Sequence, residues 1–158
     1  MEEGDEMDTW KQLMLTGSVK KYRENQVLHR YQEELMNEGF TVYTFDCRLW
    51  DECNYHRDLA TTLHFPDYYG NNLHALHDCL TELEAEGGGI LLVFTHYDRF
   101  AEQFPPVAHA ILDTIQAAAW ELLLEQVKLV AFVQMSEEDL PFEQLGVRHA
   151  EWNDAEFL

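Results

Sequence analysis

His74, His77 and Asp78 stand at i, i+3 and i+4, with Cys79 beside them. On a helix that spacing puts two imidazoles and a carboxylate on one turn. Such a turn can offer ligands to a metal, or it can offer its carboxylate to a cation on another molecule. A catalytic zinc needs a third ligand and outer groups that orient it, and the sequence has neither an HExxH nor a CxxC pair to supply them. No bound metal is therefore expected, and a metal-dependent enzyme using His74, His77 and Asp78 is the lesser reading. Asp98, Arg99 and Glu102 beside His96 and Tyr97 could serve acid–base chemistry, although a charged stretch after a strand reads first as a solvated loop. Gly87-Gly88-Gly89 lacks the Lys and Ser/Thr of a phosphate loop, and no GxSxG elbow occurs. The expectation is a protein without catalytic residues or cofactor.

A few residues earlier lies material for binding. Tyr68 and Tyr69 offer large, rather rigid contact area ending in a hydroxyl, the kind of side chain enriched where proteins grip one another. Gly70 is expected to permit the turn that lets this loop protrude.

The elements that must carry these groups follow from periodicity and punctuation. A helix over Asn71–Glu86, capped by Asn71 or Asn72 and stopped by the three glycines, buries Leu73, Leu76, Leu80 and Leu83. Its other face then presents His74, His77, Asp78 and Thr81. Phe40–Phe45 reads as a strand, Asp58–His64 as a short helix and Ile90–Thr95 as an apolar strand. Pro105-Pro106 open a helix over Val107–Glu125, and Leu129–Val133 is a further apolar strand. Upstream, Tyr22, Leu28, Tyr31 and Leu35 lie near helical spacing, which predicts a helix over Val19–Glu38 ended by Gly39. Uniformly apolar strands separated by helices indicate parallel pairing with both faces covered. The fold class is α/β: a small, mainly parallel three-stranded sheet covered by helices, with an extra N-terminal helix.

Charge sets the kind of partner. Ten Lys and Arg stand against 30 Asp and Glu, a formal net charge of -20, which repels nucleic acid and anionic membrane and attracts cationic surfaces. The apolar fraction of 46% supplies the burial that an acidic disordered chain lacks. Met1–Asp8 is acidic where a signal peptide would be basic and then apolar, and no run approaches a membrane span, so a cytoplasmic location is expected. Cys47, Cys53 and Cys79 are an odd set without CxxC spacing and should be reduced.

Residues 65–80, FPDYYGNNLHALHDCL, resemble the signature of the barstar family: a Pro-acid-Tyr-Tyr-Gly loop running into Asn-Leu-x-Ala-Leu-x-Asp-Cys-Leu. The resemblance spans 40–135. It leaves residues 1–39 as an acidic leader plus helix and 136–158 as an acidic C-terminal extension. It implies an intracellular, immunity-type inhibitor whose loop and following helix cover the active-site cleft of a basic nuclease, a ribonuclease toxin foremost, in a 1:1 complex. It implies a contact face made by Tyr68, Tyr69, Gly70, Asn72, His74, His77 and Asp78, with Glu121 as an acid on the later helix. Two positions depart from the family. His74 replaces an acid and His77 a tryptophan, which bears on the identity of the target. The alternative is a binding module of the same fold whose target is another basic protein.

Overall fold

The computed structural model of the protein describes residues 9–14, 17–135 and 151–152, the last two as backbone. Five strands, all parallel, form one sheet in the order β2-β3-β4-β1-β5. They are β1 (Val19–Tyr22), β2 (Phe40–Asp46), β3 (Gly89–Thr95), β4 (Leu129–Gln134) and β5 (Glu151–Trp152). The register sets Phe40 opposite Gly89, Ile90 opposite Leu129 and Val19 opposite Ala131. Six helices accompany them: α1 (Thr9–Met14), α2 (Asn25–Asn37), α3 (Tyr55–Leu63), α4 (Leu73–Thr81), α5 (Tyr97–Gln103) and α6 (Pro105–Leu124). A 3₁₀ turn, Cys47–Leu49, follows β2.

Side chains alternate along the central strands, and so does the core. Ile90, Leu92 and Phe94 join Leu129, Ala131 and Val133 beneath α3, α4, α5 and α6. Leu91, Val93, Val130 and Phe132 face the other way, against Leu13 of α1 and Leu28 and Leu35 of α2. Two covered faces are why β3 and β4 are nearly continuous apolar runs.

Several expectations need correction. The sheet has five strands among the described residues where three were expected. The expected helix Val19–Glu38 is instead a strand followed by a shorter helix. Val19, Lys20, Lys21 and Tyr22 are buried and pair with β4 and β5, and Glu24 opens α2. Tyr22, read as part of a helical stripe, sits in β1 with its ring 4.6 Å from that of Phe132 and 6.4 Å from that of Tyr31. The stretch 97–103, read as a solvated charged loop, is the helix α5, in which Tyr97, Asp98 and Phe100 are buried. The α4 helix stops at Thr81 rather than Glu86, yet Leu83 still packs on the first core cluster. The expectation that no run approaches a membrane span also fails for the helix α6. It is 20 residues and, by length and composition, apolar enough to cross a membrane, but its apolar residues Ala108, Ile111, Leu112, Ile115, Ala118, Ala119 and Leu122 are buried in this core. The proposed leader, 1–8, and most of the C-terminal extension lie outside the described residues.

The glycine triplet serves a close approach. Gly88 N–H donates to the Gly39 carbonyl at 2.8 Å, and a Cβ on Gly87 or Gly88 would run into the carbonyls of Gly39 and Glu38. Beside it, α1 is moored to the C-terminal end of α2, where Thr9 N–H donates to Glu38 and the Thr9 hydroxyl to Glu34, each at 2.8 Å.

Because β1 is an internal strand, cutting its packing should weaken the whole fold. Tyr22→Ala, at a side chain with no exposure, should cost about 3–5 kcal/mol in urea-induced unfolding, the range for large aromatic truncations in cores. A loss below about 1 kcal/mol would show that β1 is peripheral.

Candidate functional site

The segment 65–78 is held from below by aromatic packing. Trp50 lies among Phe45, Phe94 and Phe100 at the ends of β2 and β3, and its indole N–H donates to Asp58 at 2.8 Å, which fixes the start of α3. Tyr55 packs at a tilt against Trp50, ring centroids 5.8 Å apart, and the ring of His56 lies 4.0 Å from that of Tyr55. His56 in turn holds the loop, its Nδ1 being 2.6 Å from the Tyr69 hydroxyl. The Tyr69 ring rests on Phe65 and His56. Burial pushes the Tyr69 hydroxyl far above the usual phenol range and lowers His56, so the phenol keeps its proton and the imidazole stays neutral. The two neutral groups share one hydrogen bond between the hydroxyl and Nδ1.

The two tyrosines thus part company. Tyr68 is 77% exposed and points away from the core, whereas Tyr69 is half-buried and engaged with His56. Gly70, expected to permit the turn of the loop, is not itself in the left-handed conformation. That conformation falls on Asn71, φ 56°, a residue type that tolerates it, and a Cβ on Gly70 would meet only ordinary contacts at 3.4 and 3.5 Å. Of the two candidate caps it is Asn72 that closes α4, accepting from Ala75 N–H at 2.7 Å. An open cleft of about 740 Å³ lies beside the loop, lined by Asp51, Arg57, His64, Asp67 and Asn71 among others, with His56 and Tyr69 in its wall.

On α4 the expected outward face is present. His74 and Asp78 are exposed and His77 is partly covered. What the sequence did not reveal is how they connect. His77 Nε2 lies 2.8 Å from Glu121 Oε2 on α6, and its Nδ1 lies 3.6 Å from Asp78 Oδ1. His74 Nε2 stands 3.6 Å from the other Asp78 oxygen. Asp78 and Glu121, on different helices, thus flank one imidazole that is hydrogen-bonded to Glu121 alone, and a groove between α4 and α6 runs on from Glu121 past Glu82, Glu84 and Glu125. Among the described residues no three His, Cys, Asp or Glu side chains are arranged to hold a metal ion. The three cysteines are unpaired, with Cys47 and Cys79 buried and Cys53 exposed.

This arrangement presents negative charge and one outward tyrosine on the surface. The Barstar family, described as "Barstar (barnase inhibitor)", matches residues 40–134. The chain belongs to the barstar family. It is also similar to a protein of Bacillus subtilis strain 168 named "Putative ribonuclease inhibitor YrdF", with 40% identity over 70 residues that cover 42% of this chain and 71% of that one. The barstar match runs from β2 to β4, so both helical carboxylates and the loop lie inside it, while α1, β1 and α2 lie outside.

His56 escaped the sequence reading because nothing local marks it, and its role appears only when Tyr69, 13 residues on, folds back over it. Tyr69→Phe removes the hydroxyl and leaves a buried ring nitrogen unpaired, so it should lower stability by about 1–3 kcal/mol in denaturant titration. The pH response has a definite sign. A histidine depressed by burial contributes its stability fully above the unfolded value of about 6.5, and that contribution is lost as pH falls through the lower folded value. Stability should thus decline on acidification below about pH 6.5. His56→Phe should remove that part of the slope, and an unchanged slope would refute the assignment.

Proposed function

We propose that the chain inhibits a basic nuclease, a ribonuclease toxin foremost, by covering its active-site cleft in a 1:1 complex inside the cell. The observation that carries this reading is that Asp78 and Glu121, from two helices, flank the one imidazole of His77 on an exposed face, in a chain of net charge -20. A nuclease cleft holds phosphates with Arg, Lys and His, so carboxylates placed where phosphates would sit occupy the same donors. Asp78 acts as the phosphate mimic, Glu121 as a second anion, and Tyr68 as an aromatic anchor. Tyr69 supports the face from behind. Membership of the barstar family and the similarity to the Bacillus subtilis protein both support the reading.

Steering follows from the charge. Association should be fast at low salt and slow steeply as the Debye length contracts from about 10 Å at 0.1 M to about 3 Å at 1 M. Stopped-flow mixing reads this directly, and a rate independent of salt would remove electrostatic steering from the account.

Truncating Asp78 tests the face itself. Its side chain is 58% exposed, so Asp78→Ala should fold normally yet lose about 2–5 kcal/mol of affinity, mostly through faster dissociation. That is the range for truncated charge pairs in protein complexes, barnase with barstar among them, and is borrowed from there. A folded Asp78→Ala protein that inhibits its nuclease within about twofold of the parent, under about 0.5 kcal/mol, would rule out this face. Tight capture of a basic protein without loss of nuclease activity would favour the binding-module alternative.

A further inference from the structure

We infer that the outer edge of β2 is a self-association surface, on which a second copy of this chain pairs its own β2 about a two-fold axis. The inference is independent of the nuclease reading, since it uses neither the tyrosine loop nor the carboxylates of α4 and α6.

β2 ends the sheet, with β3 on one side and no described strand on the other. Its register with β3 runs unbroken through seven pairs, from Phe40 opposite Gly89 to Asp46 opposite Thr95, so no bulge turns the edge aside. Alternate residues of such a strand point their N–H and C=O groups outward. Among the described residues no backbone group of another element pairs with that outer row. Thr41 and Thr44 are exposed, and Val42 and Tyr43 are only partly covered. Proteins ordinarily protect an open edge with lysine, proline or a bulge, and residues 40–45, FTVYTF, contain none of these. They are instead the β-branched and aromatic types that favour pairing.

Charge decides the occupant. A chain of net charge -20 repels its own copy over most of its surface, so two copies meet best where acid is absent or already compensated. The β2 edge is such a place. Residues 39–45 carry no charge. At the end of the strand, Arg48 donates to both oxygens of Asp46, at 3.1 and 2.6 Å. Just before its start, Glu38 accepts from the backbone N–H groups of Thr9 and Trp10 at 2.8 and 3.3 Å. Antiparallel pairing about the middle of β2 sets the Asp46–Arg48 end of one copy beside the Glu38 end of the other, which brings no uncompensated pair of like charges together. The two strands match in length and sequence, and a two-fold contact of this kind closes after two copies. A foreign basic segment, by contrast, would find its carboxylates on the α4–α6 side.

Sedimentation velocity on the full chain tests this, in about 0.5 M NaCl to screen the like charges. A single paired edge is a small contact, so the mass should rise from monomer toward dimer between about 5 and about 500 µM. Lowering the salt to about 0.05 M should weaken the dimer at least about tenfold, since repulsion between the copies then reaches further. Thr41→Glu combined with Thr44→Glu adds two carboxylates from each copy to the contact, at exposed positions. That protein should unfold at the same temperature as the parent and remain monomeric throughout. In the parent, the outward amides of residues 40–46 should exchange hydrogen at least about fivefold more slowly in the concentrated sample than in the dilute one. A parent that stays monomeric over this range would overturn the inference, as would a dimer that survives both glutamates. If the doubly substituted protein does not fold, the exchange measurement decides alone, and equal rates at both concentrations would overturn the pairing.

Discussion

Parallel strands cannot be joined by tight turns, and most of this protein's functional geometry follows from that constraint. Each step from one strand to its neighbour must travel back along the sheet, and here the return is made by helices. The step from β2 to β3 is made by α3 and α4, and the step from β3 to β4 by α5 and α6, all on the same face. Consecutive crossovers on one face lie side by side, so α4 packs against α6. Their outward residues then share one surface, which is how His77 meets Glu121 across 44 residues of sequence.

The loop between α3 and α4 is the other half of the surface, and it is held at both ends. At its C-terminal end the Asn72 side chain caps α4, with Asn71 in the left-handed conformation just before it. In its middle, Tyr69 N–H donates to the Pro66 carbonyl at 3.0 Å and the Tyr69 hydroxyl is hydrogen-bonded to His56 Nδ1. Fixing Tyr69 inward is what leaves Tyr68 outward on the residue before it. A contact residue held this way loses less freedom on binding than one on a loose loop, and that saving favours affinity.

The sequence disclosed these parts unevenly, for physical reasons. β3 and β4 were legible because a strand buried on both faces must be apolar at nearly every position, as ILLVFT and LVAFV are. The outward face of α4 was legible because Leu73, Leu76 and Leu80 set the helical phase. β1 was not. Its four residues, VKKY, contain two lysines, and pairing with β4 and β5, distant in sequence, makes them a strand. α5 was hidden by Asp98 and Arg99, whose charge suggested solvent although Tyr97 and Phe100 bury its inner side. The tyrosine pair could not be divided, since a loop has no periodicity to say which ring turns in. The bond between His77 and Glu121 depends on how α4 and α6 pack, and no spacing within either helix encodes it.

The acidic surface also has to coexist with a stable fold. Carboxylates at Asp78, Glu121, Glu82, Glu84 and Glu125 lie along one side of the α4–α6 pair, and like charges so placed repel one another. Keeping them in water limits the cost, because exposed charges are well screened. The bond donated by His77 to Glu121 offsets part of the remainder. A lysine at position 77 could hold Glu121 as well, but its flexible stem and three donors would let it reach Asp78 too. A phenylalanine there would leave Glu121 without its donor. The histidine ring orders the second carboxylate through Nε2, while its Nδ1, 3.6 Å from Asp78 and too far for a hydrogen bond, leaves the first open to an incoming cation.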